Sequence, residues 1–237
     1  MTSAMTALAE PLLDRWLADA AQLAPDAGRD LWLAEGSLLL RGWSEPHRRY
    51  HTLEHLGETL TALDELELAG ALDADEALVG RGVLWYHDLV YDPRAAAGSN
   101  EHRSAMMARD HLHRLGVHTT TIDAVEAGVL MTDGHQVPSR AAAPRMLDAV
   151  HDADLWILGA AASRYAAYRV QVREEYAHVA DPDFRRGRSA VMAPFLQRAR
   201  IYRTEHADLG WTQRARTNLA GELGDLGAEE GTPPDGV

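Results

Sequence analysis

The sequence predicts an all-α protein. Three observations carry that reading. Apolar residues recur at three- and four-residue spacing along nearly the whole chain, alternating runs of β-branched residues are scarce, and cap residues bracket the periodic segments.

The first periodic face lies in residues 10–23, where Leu12, Leu13, Trp16, Leu17 and Ala20 align. Residues 29–43 repeat it with Leu31, Trp32, Leu38, Leu39 and Trp43. In residues 53–68 the stripe is Leu53, Leu56, Leu60, Leu63 and Leu66. A fourth helix is expected over 75–90, led by Ala77, Leu78, Gly82, Val83 and Trp85, and it would carry His87 and Asp88 in its interior. Starts are signalled by Thr52, by Ser99 or Asn100, and by Thr120 with Asp123 three residues on. Gly70, Gly116 and Gly159 stand where helices should stop. Further on, Tyr165, Tyr168, Val172 and Tyr176 share one helical face. A single domain over residues 8–225 is expected, followed by a disordered acidic tail, 226–237, rich in Gly and Pro.

Composition narrows the function classes. The chain has 237 residues, 46% of them hydrophobic, enough for a real core. Its net charge of −13 argues against an extended nucleic-acid surface. With no cysteine, disulfides, thiolate metal sites and cysteine nucleophiles are excluded. All 23 basic side chains are arginine, so a P-loop lysine and a Schiff-base lysine are excluded too; a GC-rich genome accounts for the bias. No stretch approaches the roughly 18 apolar residues that cross a bilayer, and the N-terminal segment lacks the pattern of a secretion signal. A cytoplasmic protein with no membrane contact is expected. The oligomeric state is not readable, and Trp211 suits an interface or the core equally.

The chemistry concentrates in YHTLEHL (50–56), WYHDLVYD (85–92) and HDADLWILG (151–159). Histidine and aspartate together make a mixed nitrogen and oxygen site for a divalent cation. The His87–Asp88 doublet needs further ligands from neighbouring helices, and His55, Asp152 and Asp154 are available. The plain alternative is a buried histidine bonded to an aspartate, with no metal.

The order His…His-Asp…Asp resembles the HD-domain superfamily of metal-dependent phosphohydrolases. That resemblance implies an all-helical bundle with His55, His87, Asp88 and Asp154 as ligands. YHTLEH is similar to a segment of the cyclic nucleotide phosphodiesterases, members of the same superfamily. It implies that His51 is the general acid and His55 the ligand; the reverse assignment stays open. HDADL resembles the segment around their last aspartate ligand, which favours Asp154 over Asp152. VLMTDGH (129–135) resembles a Thr-Asp-x-x-His segment, shortened by one residue, and brings in His135. The stretch after the doublet departs from the phosphodiesterase pattern, so cyclic nucleotide specificity does not carry over. Residues 40–220 also resemble small bacterial proteins predicted to be HD phosphohydrolases.

Around this core, Glu101 is a candidate to orient a ligand or accept a proton. Arg48, Arg173, Tyr176 and Arg188 are candidate substrate-binding residues, arginine being the only strong anion binder in the chain. The expected activity is hydrolysis of a phosphate ester, a nucleotide-like one for preference. The cofactor would be Mn, Fe, Zn, Ni, Co or Mg, as one ion or two. One alternative is a di-iron oxygenase of the same superfamily, drawing on His111, His113 or His135. Another is a helical binding module without turnover.

Overall fold

Leucine stripes and caps set the helix limits. The computed structural model describes residues 3–135 and 143–228, and among these it contains ten α-helices and no strand. They are α1 (Ser3–Leu23), α2 (Arg29–Trp43), α3 (Leu53–Leu68), α4 (Ala74–Tyr86) and α5 (Ser99–Arg114). There follow α6 (Thr119–Met131), α7 (Pro144–Asp154), a 3-10 turn (Leu155–Gly159), α8 (Ala162–Glu175), α9 (Asp181–Gln197) and α10 (Glu205–Ala228). No helix among the described residues is long and apolar enough to cross a membrane.

Helices α3, α4 and α7 pack on one another at the centre. The α1–α2 pair and the α5–α6 pair flank them, and α10 closes the far side against α9 and the 3-10 turn. One continuous apolar core runs from Leu12 to Leu219, with Trp16, Trp43 and Trp85 fully buried in it. Trp211 belongs to this core, packed edge-on against Tyr202. The expected tail begins inside α10, where Leu226 is buried; residues 229–237 lie outside the described residues.

Thr52 caps α3 by accepting from the Glu54 amide. Helix α4 starts on a capping box that the sequence reading passed over, Asp73 and Glu76 each bonding the other's backbone N–H. Helix α6 is capped by His118, two residues before the expected Thr120. Gly70 and Gly116 do end helices in the left-handed region, at φ 79° and 76°. Gly98 opens α5 at φ 73°, and the Asp133 carboxylate fills the space its Cβ would need.

The largest departure from expectation concerns α4, which ends at Tyr86 rather than running to residue 90. The carbonyls freed at its end are taken by side chains. Trp43 Nε1 donates to the Trp85 carbonyl, and His87 Nδ1 to the Leu84 carbonyl. Arg48 donates to the carbonyls of Asp88 and Leu89. His87 therefore caps the helix, and Asp88 turns out of it.

Candidate metal centre

Three helix ends deliver the central side chains. His55 lies in the first turn of α3, His87 at the C-cap of α4, and Asp154 at the last residue of α7. Each offers one ligand atom, and the three atoms lie within 4.8 Å of one another, a group that could hold a metal ion. The two histidine Nε2 atoms are 3.3 Å apart. Asp154 Oδ1 stands 3.3 Å from His55 Nε2 and 3.4 Å from His87 Nε2. Asp88 Oδ2 faces the same pair, at 3.7 Å from His55 and 3.2 Å from His87. Ligand atoms about 2.1 Å from one ion stand about 3.0 Å apart at right angles and about 3.4 Å apart in a tetrahedron.

The donor chemistry suits a cation for a second reason. The Leu84 carbonyl can only accept, so His87 Nδ1 carries a hydrogen and bonds it at 2.8 Å. In the neutral ring, Nε2 is then a lone pair aimed at two carboxylate oxygens and another imidazole. That arrangement repels unless a proton or a metal ion sits among the atoms. Burial lowers the His87 pKa, but Asp88 and Asp154 outweigh it and hold the imidazole well above its usual range. Asp88 and Asp154 resist burial in the same way, and the facing histidines keep both well below the usual carboxylate range.

A scan against protein-family models, a search of curated proteins and a search of solved structures each return no match. The reading of this centre therefore rests on its geometry.

His51 precedes α3 instead of sharing a helical face with His55; their rings meet edge to face at 5.7 Å. His51 Nδ1 is 2.7 Å from Glu175 Oε2, and His51 Nε2 is 3.9 Å from Asp88 Oδ2. Burial lowers the His51 pKa, while Asp88 and Glu175 more than offset it, so the imidazole holds its proton above the usual pH. Glu175 was missed by the sequence reading. It accepts from the backbone amides of Arg49, Tyr50 and His51 through Oε1, and from the Tyr91 hydroxyl through Oε2. Its signal was present: Tyr168, Val172 and Glu175 follow at four and three residues, an acid on an apolar helical face.

A cavity of about 810 Å³ opens from this centre, lined by His51, His55, Asp88 and Asp154 at one end. Glu101, His135, Tyr176 and Arg188 also line it. Glu101 is half-buried; burial, with the charges of Asp88 and Asp133, raises its pKa. His135 has φ 54° and presents Nε2 3.7 Å from Asp154 Oδ2. Burial pulls it down to about 4, so this imidazole is neutral, and its buried Nδ1 has no hydrogen-bond partner among the described residues.

Two of the four expected substrate-binding residues are placed elsewhere. Arg48 is buried with its guanidinium engaged by Glu45 and by the carbonyls of His51, Asp88 and Leu89. Arg173 binds Asp181 and the carbonyls of Tyr176 and Val179, tying the α8–α9 connection. Neither lines the cavity. Arg188 does, but it is paired with Glu222 at 2.9 Å and lies over the Tyr168 ring. Asp152, the rival to Asp154, is fully buried and accepts from the Arg203 and Thr204 amides and the Thr204 hydroxyl at the start of α10. His111 is bonded to Glu35 at 2.6 Å and His113 is exposed on α5, so neither approaches the centre.

Proposed function

We propose that this chain is a metal-dependent phosphohydrolase of the HD kind. The observation that carries the reading is the convergence of His55, His87, Asp88 and Asp154 at the floor of one cavity, with His51 beside Asp88. His55, His87 and Asp154 would hold the cation, with Asp88 as the fourth ligand or a bridge to a second ion. Bound there, a divalent cation supplies a Lewis acid and lowers the pKa of water.

The protein's own groups then divide the work. Glu175 accepts from Nδ1–H of His51 and with Asp88 favours the imidazolium, whose Nε2–H faces the cavity as the proton donor. Water oxygen joins phosphorus and the P–O bond to the alcohol breaks. His51 Nε2 gives its proton to the departing oxygen. The proton shed by the water leaves to solvent through the open cavity, and His51 is reprotonated from solvent beside Asp88, whose carboxylate 3.9 Å from Nε2 favours the imidazolium. Tyr91 stacks on the His51 ring at 4.1 Å and prevents it from turning away.

The test is the metal content of purified protein, wild type beside Asp154→Asn, followed by assay of phenyl phosphate hydrolysis after loading with Mn. The wild type should hold at least one equivalent, the variant should lose it, and His51→Ala should keep the metal while kcat falls by roughly 10²–10⁴-fold. No metal bound after loading with Mn, Fe, Zn or Ni refutes the reading. Metal bound with every phosphate ester left intact would make the chain a binding module.

A further inference from the structure

The cavity's lining acids and bases are unevenly matched. Asp88 and Asp154 together balance one divalent cation, and Glu101 adds a half-buried carboxyl to the same wall. Asp183, at the mouth, is paired with Arg186, and Arg188 is paired with Glu222. Arg198 differs. It lines the cavity, and among the described residues no carboxylate lies within ion-pair distance of its guanidinium. Its guanidinium rests on the Phe195 ring, 4.4 Å from the centroid, and its Nη1 reaches His151 Nε2 at a long 3.5 Å. His151 lies edge-on to His135 at 5.3 Å, and His135 faces Asp154 at 3.7 Å. The contacts from Arg198 to the metal centre thus run through the His151 and His135 rings. A half-buried guanidinium left without an acid is a ready partner for one phosphoryl group, which it can grip with two parallel N–H donors.

The remaining wall is apolar. Ile157 and Leu158 of the 3-10 turn, Val172 of α8, and Phe184, Val191 and Met192 of α9 line it. Apart from the hydroxyls of Thr132, Tyr50, Tyr168 and Tyr176 that surface is apolar, and among the described residues no other arginine of the lining is free of a carboxylate to neutralise further phosphates. We infer that Arg198 binds the phosphoryl group of the substrate, and that the substrate is a phosphomonoester with one anionic head and an apolar or aromatic body. This rests on the phosphohydrolase reading and deepens it; a nucleoside monophosphate fits the class, a triphosphate does not.

Phenylphosphonate and methylphosphonate, which cannot be hydrolysed, separate the two claims. Their affinities for Mn-loaded protein are measured by calorimetry for wild type, Arg198→Ala and Arg198→Lys, with metal content checked for each. Phenylphosphonate should bind wild type at least tenfold tighter than methylphosphonate, because apolar burial is worth roughly fourfold per fully buried carbon. Arg198→Ala should weaken both ligands tenfold or more, leaving their ratio intact, and Arg198→Lys should recover part of the loss. In turnover, ATP should be no better a substrate than AMP. Unchanged affinity in Arg198→Ala with metal retained, equal binding of the two phosphonates, or a tenfold preference for ATP over AMP would overturn the inference. Phosphonates bound as expected while phenyl phosphate goes uncut would sink the hydrolase reading alone and support the binding assignment. Phenyl phosphate turned over equally well by Arg198→Ala would do the reverse.

Discussion

Replacing Glu175 by glutamine removes one charge and almost no volume from the most heavily engaged carboxylate in the site. Glu175 accepts five hydrogen bonds, four of them to the turn that carries His51. Burial raises its pKa, but the bond and charge of His51 and the amides of Arg49 and His51 overcome that and set it at about 2 against an ordinary 4.5. Because the folded value is the lower one, the stabilisation is complete above about pH 4.5 and is lost as pH falls toward 2. A difference of that size corresponds to about 3 kcal/mol at pH 7, with about 1 kcal/mol gone by pH 4 and about 2 kcal/mol gone by pH 3. Glutamine has no proton to lose in either state. The stability gap between wild type and Glu175→Gln should therefore narrow as the medium is acidified.

Urea unfolding of metal-free protein at pH 7, 4 and 3, followed by circular dichroism, measures that gap directly. A gap that stays constant with pH would show that glutamine disturbs packing and that the carboxylate charge contributes nothing. No gap at pH 7 would remove Glu175 from any role in holding His51.

Three further substitutions or conditions probe the same frame. Asp152→Asn should keep the metal and lower the melting temperature, because Asp152 holds the start of α10 and not the centre; metal lost from Asp152→Asn and kept by Asp154→Asn would exchange the two roles. Arg48→Met should destabilise the fold by about 3 kcal/mol through three orphaned carbonyls, read by chemical denaturation, and a variant as stable as wild type would return Arg48 to the substrate-binding candidates. Mn affinity should weaken by about tenfold per pH unit between pH 7 and 6, since binding displaces a proton from the raised His87 imidazole; a flat titration would mean that His87 is not a ligand.

What the sequence made legible was local. The α2 and α3 limits coincide with expectation because a periodic apolar stripe, from which only the exposed Leu31 departs, and, for α3, the Thr52 cap define them without help from the rest of the chain. His55, His87, Asp88 and Asp154 were legible as residue types in an order. The end of α4 was not, because its termination depends on Trp43 and Arg48 taking carbonyls more than thirty-five residues away. Arg48 and Arg173 lie away from the cavity, and Arg188 lines it already paired, for a related reason. An arginine's sequence neighbours do not reveal whether its guanidinium will meet buried carbonyls, a distant glutamate such as Glu222, or open space. Arg198 escaped notice for the converse reason, since nothing near it in sequence marks it as unpaired. Glu175 bonds residues 124 to 126 positions earlier, and only its place on the Tyr168–Val172 face hinted that it would be buried.

Arg48 and Glu175 act on the same short turn from opposite sides. Arg48 takes the His51 carbonyl and those of Asp88 and Leu89, while Glu175 takes the amides of residues 49–51. The turn bearing His51 and the turn bearing Asp88 are thereby locked to each other through buried, charge-assisted bonds. Neither lock uses the ligand atoms themselves: the Asp88 carboxylate and His51 Nε2 are left facing the cavity. A site framed in this way holds its reactive groups in place without a cation, so the geometry does not have to be assembled when a substrate arrives. The cost is a cluster of buried carboxylates and imidazoles whose charges oppose burial, and their shifted pKa values are the mark of that cost. A divalent cation would relieve it by taking the place of the protons among His55, His87 and the two aspartates. Among the described residues the same frame leaves the Arg198 guanidinium on the cavity wall without a carboxylate partner, which would suit it to one anion.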